Sequence, residues 1–452
     1  MLRNPENGAF FRTISNTRVE NIRKGWLFMA NCAIVGINWG DEGKGRMVDY
    51  LAKRYEVVVR YQGGNNAGHT VINEYGKFAL NLLPSGVFQP GTVNLLGSGT
   101  VVDPKHLVGE IAKLRERGVR ITAENLKISD RAALVLPIHP LQDQWEEKRL
   151  GKDHYGSTLR GISPIYGDKY MKKAIQIGDV KYPGALEKHL RRLIDWKNDV
   201  IVPGYSAEKL DFGEVLAWIH AYCDPLIPHI CDASELLERA LAEGKDMLFE
   251  AQLGALRDID YGIYPFTSSS SPLAAFAPVG CGLPSLKVDM VVGVAKAYLT
   301  CVGEGPFVGE LSGEAAHLLR EAGAEYGAAT GRPRRVAWMD LVATRYGTVL
   351  QGATELALTK LDVLSYLDEI PVCIAYERDG RRLDRFPFTP ELDRCEPVYE
   401  VLPGWKADIS GCREFEELPE AAREYVEFIE KAVKCPIRYV SVGAERDSLI
   451  IR

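Results

Sequence analysis

The 452-residue chain has no run of the roughly 20 apolar residues that a membrane-spanning helix needs. Its nine cysteines are scattered and none forms a C-x-x-C pair, so a disulfide framework is not expected and reduced cytoplasmic thiols are. An excess of positive charge is also missing. The net charge of −6 leaves no basic footprint for nucleic acid. Internal repeats, low-complexity tracts and a clear linker are absent too. What remains, 46% apolar and 26% charged residues, is ordinary for a globular protein with ample material for a core. Partners are therefore sought among small molecules, with no nucleic acid and no membrane.

The chain's most distinctive stretch is Gly36-Ile37-Asn38-Trp39-Gly40-Asp41-Glu42-Gly43-Lys44-Gly45-Arg46. It follows the apolar run Ala33-Ile34-Val35 and precedes a segment with Met47, Val48, Leu51 and Tyr55 on one face. Strand, glycine loop and helix in that order cradle phosphate: backbone N–H groups approach the anion, and the helix N-terminus and a lysine supply positive charge. The loop departs from the Walker A pattern. Six residues separate Gly36 from Gly43-Lys44, and Arg46 stands near where a magnesium-binding hydroxyl would be. A carboxylate among phosphates, as at Asp41, is repelled unless it binds a metal or moves a proton.

Strand-like runs recur at 33–37, 57–61, 93–96, 126–128, 247–250, 356–359, 372–376 and 438–442. Helical patterns fall at 106–117, capped by Asp103 with Pro104 inside, and at 286–300 and 420–432. The helix-rich segment 183–231 reads as an insertion. Alternation of the two types predicts an α/β fold: one large domain with a mainly parallel central sheet flanked by helices and a P-loop-like nucleotide site. Residues 1–28 read as a disordered extension, with Met29 the expected start of a catalytic domain over 29–452.

The glycine loop resembles the first signature of the adenylosuccinate synthetase family. Gly64-Asn65-Asn66-Ala67-Gly68-His69-Thr70 resembles its second, and Lys360-Leu361-Asp362 its guanine-reading motif. Gly303-Glu304-Gly305-Pro306-Phe307 and Thr330-Gly331-Arg332-Pro333-Arg334-Arg335 follow in the family's order. The resemblance implies that GTP phosphorylates the 6-oxygen of IMP and that L-aspartate displaces the phosphate, giving adenylosuccinate, GDP and phosphate. It makes Asp41 the base, His69 the acid, Lys169 a further catalytic residue, and Asp41 with the Gly68 carbonyl ligands of Mg2+. GTP is then held by Gly40 to Arg46, Gly68, His69, Thr70, Arg334, Lys360, Leu361, Asp362, Ser441, Val442 and Gly443. IMP falls to Asp41, Lys44, Asn66, Ala67, Gly68, His69, Thr158, Lys172, Gln252, Leu253, Ser268 and Arg332. Aspartate falls to Thr330, Gly331, Arg332 and Arg334. A cytoplasmic homodimer is implied, with Lys172 reaching the partner's site.

Departures from the family cluster on the acceptor side. Leu159 and Ser163 stand where glycines are expected, and Lys172 replaces an arginine, keeping charge but losing the bidentate fork. The family's glutamine belongs at Leu253, whereas here Gln252 precedes it. Two alternatives therefore stay open: another 6-oxopurine acceptor such as GMP or dGMP, or a GTP-dependent switch without ligation.

Overall fold

Cys32–Gly36 (β1) is buried along its whole length, the signature of a strand covered on both faces. In the computed structural model, which describes residues 31–327 and 331–452, it is the central strand of a ten-stranded sheet. The expected extension 1–28, Met29 and Thr330 lie outside the described residues. The other strands are β2 (Val57–Arg60), β3 (Val93–Leu96), β4 (Leu126–Ser129), β5 (Ile230–Cys231), β6 (Met247–Glu250), β7 (Met290–Lys296), β8 (Glu355–Thr359), β9 (Ile437–Ser441) and β10 (Leu449–Ile451). Their order is β10-β9-β8-β7-β1-β6-β2-β3-β4-β5, and every pair is parallel except β9 with β10.

This order has a functional consequence. The chain leaves β1 to build one side of the sheet, returns through β6 beside β1, then crosses to build the other side. Loops at the carboxyl ends of β1, β2 and β6 diverge from those after β7, β8 and β9, opening a crevice where α/β folds bind ligands.

Helix α1 (Lys44–Ala52) lays Met47, Val48 and Leu51 on the sheet in one cluster with Ile34, Val58 and Val292. Helix α2 (Pro104–Glu116) begins as expected: Asp103 accepts from His106 N at 3.0 Å, and Pro104 occupies the first turn. The expected insertion holds α3 (Pro183–Trp196) and α4 (Phe212–Cys223). Leu186, Leu190 and Leu193 of α3 share one core with Leu107, Ile111 and Leu114 of α2. Helix α5 (Leu341–Gln351) packs over the sheet, and α6 (Glu420–Val433) appears where 420–432 was expected.

Two expectations are corrected. The segment 286–300 is not a helix: it holds β7 and a short strand, Leu299–Cys301. Met-Val-Val-Gly-Val-Ala-Lys is buried almost throughout, so apolar residues carry no helical face, and the β-branched valines decide for strand. The strand at 372–376 exists within Glu369–Arg378, but it belongs to a separate sheet and pairs antiparallel with Glu396–Pro403.

Gly347 of α5 brings that helix against β1's exit. A Cβ there would lie 1.9 Å from the Ile37 carbonyl oxygen. Gly347→Ala gains about 1 kcal/mol of helix propensity, but overpacking against rigid backbone costs about 1–3 kcal/mol. Thermal unfolding is expected to show a lower midpoint for the variant; an unchanged or higher one would mean that α5 does not press on β1.

Candidate active site

The loop after β1 closes around a carboxylate of its own. Glu42 Oε1 accepts from Gly40 N at 2.7 Å and Asn38 N at 3.2 Å, and Oε2 accepts from Lys44 Nζ at 2.7 Å. Both side chains are only 3% exposed, so the lysine's charge is compensated inside the protein. Gly40 and Gly43 have φ of 114° and 98°, which only glycine adopts cheaply. Arg46 donates to Ser441 Oγ and to the carbonyls of Gly443, Glu445 and Ser448, fixing the loop after β9. Burial lowers its pKa to about 10.

The second loop leaves β2 and folds onto the first. A Cβ on Gly45 would come within 2.8 Å of His69 Cβ, so glycine permits this approach. His69 Nδ1 pairs with Glu250 at the end of β6, and Glu250 also accepts from Ser85 N and Ser85 Oγ, each at 2.7 Å. Burial lowers the His69 pKa, only partly opposed by Glu250. Burial would raise that of Glu250, but His69, Arg60 and Ser85 outweigh it and hold the group ionised. An ionised carboxylate only accepts, so Nδ1 carries the proton. His69 Nε2 is buried with no hydrogen-bond partner among the described residues.

On the far side, Lys360 follows β8 with φ 61° and donates to Gly323 O and Glu325 Oε1, both at 2.7 Å. Asp362, two residues on, has a buried Oδ1 without a partner among the described residues, and burial raises its pKa. Arg334 Nε lies 3.1 Å from Asp41 Oδ2, and its NH1 donates to Glu325 at 2.5 Å. These loops enclose a cavity of about 450 Å³. Residues 41–46, Asn66, Ala67, Gly68, His69, Thr70, Leu253, Arg334, Lys360, Asp362, Ser441 and Gly443 line it.

Other expected site residues stand apart from that cavity. Gly40, Leu361 and Val442 are buried beneath it. Thr158, Lys172, Gly331 and Arg332 are exposed, and Arg332 lies 3.7 Å from Glu304. Lys169 donates to Ser98 O at 2.9 Å, and burial lowers its pKa. Ser268 Oγ lies 3.4 Å from Ser270 Oγ. Gln252 is wholly buried: Arg60 donates to its Oε1 at 2.7 Å, and its Nε2 donates to Asn66 at 2.9 Å. Gln252 is thus not among the residues that line the cavity, and Leu253, at φ 60°, lines it instead. Leu159, where a glycine was expected, also has a left-handed φ of 57°.

Glu325, Lys296, Glu250, Arg60 and Arg257 were not singled out from sequence. Arg257 donates to Val302 O at 2.5 Å and Cys301 Sγ at 3.0 Å, holding the loop before Gly303-Glu304-Gly305.

Comparison with known proteins identifies the family. The family described as adenylosuccinate synthetase matches residues 33–450. The chain belongs to the adenylosuccinate synthetase family. It is 46% identical to the adenylosuccinate synthetase of Halothermothrix orenii, over 94% of this chain and 99% of that one. The solved structure of fully ligated adenylosuccinate synthetase from Plasmodium falciparum superposes with a TM-score of 0.88 at 36% identity, covering 94% of this chain and 100% of that one. A cyanophage S-2L succinoaminodeoxyadenylate synthetase bound to dGMP shares the fold alone, with TM-score 0.56 and 19% identity over 94% of this chain and 96% of that one. Family membership makes the protein a ligase that forms a C–N bond in purine nucleotide biosynthesis.

The buried titratable groups set an acid profile. His69 and His139 are held neutral below their usual 6.5, so the unfolded chain takes up protons first and stability is lost as pH falls below that value. Glu250 and Glu325 are held ionised below 4.5, so their contribution persists until pH falls through the acid range. The thermal midpoint is expected to decline from about pH 6.5 and more steeply below pH 4.5. A flat midpoint between pH 7 and 5 would contradict the assignment of the two histidines.

Proposed function

We propose that the chain joins IMP and L-aspartate into adenylosuccinate at the expense of GTP, through a 6-phosphoryl-IMP intermediate formed in the cavity between the two halves of the sheet. The observation that carries this reading is the buried carboxylate oxygen of Asp362 on one side of a cavity that has Asp41 and His69 Nε2 on the other, Asp362 Oδ1 and His69 Nε2 both without a hydrogen-bond partner among the described residues. Guanine offers a ring N–H and an amino group to such a carboxylate, while adenine offers no matching pair and would leave the charge unpaired.

The residues support the chemistry in order. Asp41, with a side chain 30% exposed to the cavity, takes the N1 proton of IMP and makes the 6-oxygen a nucleophile. Lys44 and the loop N–H groups hold the γ-phosphate in line. His69 donates from Nε2 to the β,γ-bridging oxygen, which stays on the β-phosphate of GDP as its bond to the γ-phosphorus breaks. That nitrogen is unprotonated in the neutral ring, so the arriving phosphates must first make His69 an imidazolium, which Glu250 stabilises from the opposite side. Arg332 and Arg334, with Thr330 and Gly331 preceding them in sequence, suit the two carboxylates of aspartate.

Mg2+ fits the site. It takes one or two protein oxygens and fills its shell with phosphate oxygens and water, and Asp41 and Gly68 line the cavity together without any larger cluster of ligands among the described residues. When bound, it neutralises phosphate charge. Ser441 and Gly443, fixed by Arg46, complete the nucleotide side, while Asn66, Thr158, Lys169 and Ser268 serve the IMP side. The exposed Lys172 reaches across a homodimer to the partner's IMP phosphate. No helix among the described residues is long and apolar enough to cross a membrane, and free cysteines fit a cytoplasmic location.

Magnesium, GTP and aspartate with IMP, dIMP, GMP or dGMP test the reading. Turnover fastest with IMP is expected; turnover confined to guanine nucleotides would show that Leu253 and Leu159 mark a different acceptor. Asp41→Asn should lower ligation on the order of 10² or more, and near-normal turnover would remove Asp41 as base. GTP binding should take up a proton at His69, read as a buffer-dependent heat in calorimetry at pH 7.5. No buffer dependence would mean that the ring stays neutral.

A further inference from the structure

Glu325 is fully buried and lies on no element of the main sheet. Its carboxylate nevertheless receives four donors. Lys296 Nζ at 2.9 Å comes from the end of β7, Lys360 Nζ at 2.7 Å from the loop after β8, and Tyr298 OH at 2.5 Å from just beyond β7; all three reach Oε1. Arg334 NH1 reaches Oε2 at 2.5 Å. The contact with Arg334 is doubled by the backbone, since Arg334 N donates to Glu325 O at 3.0 Å. Arg334 in turn faces Asp41 at 3.1 Å. A continuous chain of charges thus runs from Lys360, beside Asp362, through Glu325 and Arg334 to Asp41.

Three cations around one buried carboxylate exceed what stability alone requires, because each further like charge repels the others. Burial lowers the Lys296 pKa to about 8, with Glu325 opposing the shift and Lys360 and Arg334 adding to it. Lys360 and Arg334 both line the cavity, and Lys360, with a side chain 34% exposed against 16% for Arg334, is the more open of the two. When a base occupies that wall, any movement of Lys360 changes how much of Oε1 remains for Lys296 and how firmly Oε2 holds Arg334.

Resting on the proposed ligase reading, we infer that Glu325 is a positioning residue that couples occupation of the guanine subsite at Lys360 and Asp362 to the setting of Arg334 against Asp41. Aspartate and GTP, bound at opposite ends of this chain of charges, then reinforce each other through one carboxylate. Thr158, Lys172 and Ser268, on the IMP phosphate side, are not part of the chain.

The test is Glu325→Gln, which keeps shape but loses the charge, with Glu325→Asp as the conservative partner. KM for GTP, aspartate and IMP and the thermal midpoint are measured on the full chain. Coupling predicts that KM for GTP and for aspartate rise together in the glutamine variant, on the order of tenfold, and that the aspartate variant restores most of the loss. A rise for GTP alone, or unchanged KM values with a lower midpoint, would reduce Glu325 to a structural staple and overturn the inference. If Glu325→Gln does not fold, Tyr298→Phe decides, since it removes one donor: a parallel rise in the two constants supports coupling and unchanged constants contradict it. Wild-type turnover with IMP is the control that separates this outcome from failure of the ligase reading.

Discussion

A site that binds phosphate must assemble positive charge in a buried place and stay folded before the phosphate arrives. Three glutamates meet that constraint here. Glu42 holds Lys44, Glu250 holds His69 beside Arg60, and Glu325 holds Lys296, Lys360 and Arg334. Each carboxylate is nearly or fully buried, and each lies at or beside the carboxyl end of a central strand or in the loop that packs there. Without them, several cations would face one another in a low-dielectric crevice, at a cost of several kcal/mol per unpaired charge.

The same carboxylates divide the labour of the site. Glu42 ties the loop's N–H groups and lysine into one preformed cradle. Glu250 fixes the tautomer of His69, whose Nε2 has no hydrogen-bond partner among the described residues and whose side chain lines the cavity. Glu325 stands between Lys360, at the cavity wall, and the loop that carries Arg334. The sheet's topology makes this possible, because β6 and β7 flank β1 and bring loops that are far apart in sequence to one edge.

Much of this was legible in the sequence. Asp41, Lys44, His69, Lys360 and Asp362 sit in short ordered motifs with glycines whose spacing carries the chemistry, and the structure gathers all five around one cavity. The compensating carboxylates were not legible in the same way. Glu250 meets His69 across 181 residues, and Glu325 meets Lys360 across 35, so no local pattern announces either pair. The reading of 286–300 as a helix failed because a strand buried on both faces has no alternation to show. At 252–253 the sequence posed a question of register. The structure answers it by sending Gln252 beneath Asn66 and giving Leu253 the cavity, at the expense of a left-handed leucine.

In the proposed reaction the cavity activates the 6-oxygen of IMP as a phosphate ester before nitrogen attacks. The most direct measurement uses IMP carrying heavy oxygen at the 6-position, with GTP and aspartate, and follows the label by mass spectrometry. Activation by phosphoryl transfer predicts that the label leaves entirely in inorganic phosphate as adenylosuccinate forms. Label appearing in water, with unlabelled phosphate, would mean that GTP is hydrolysed separately and that Asp41 and His69 do not act on a shared substrate.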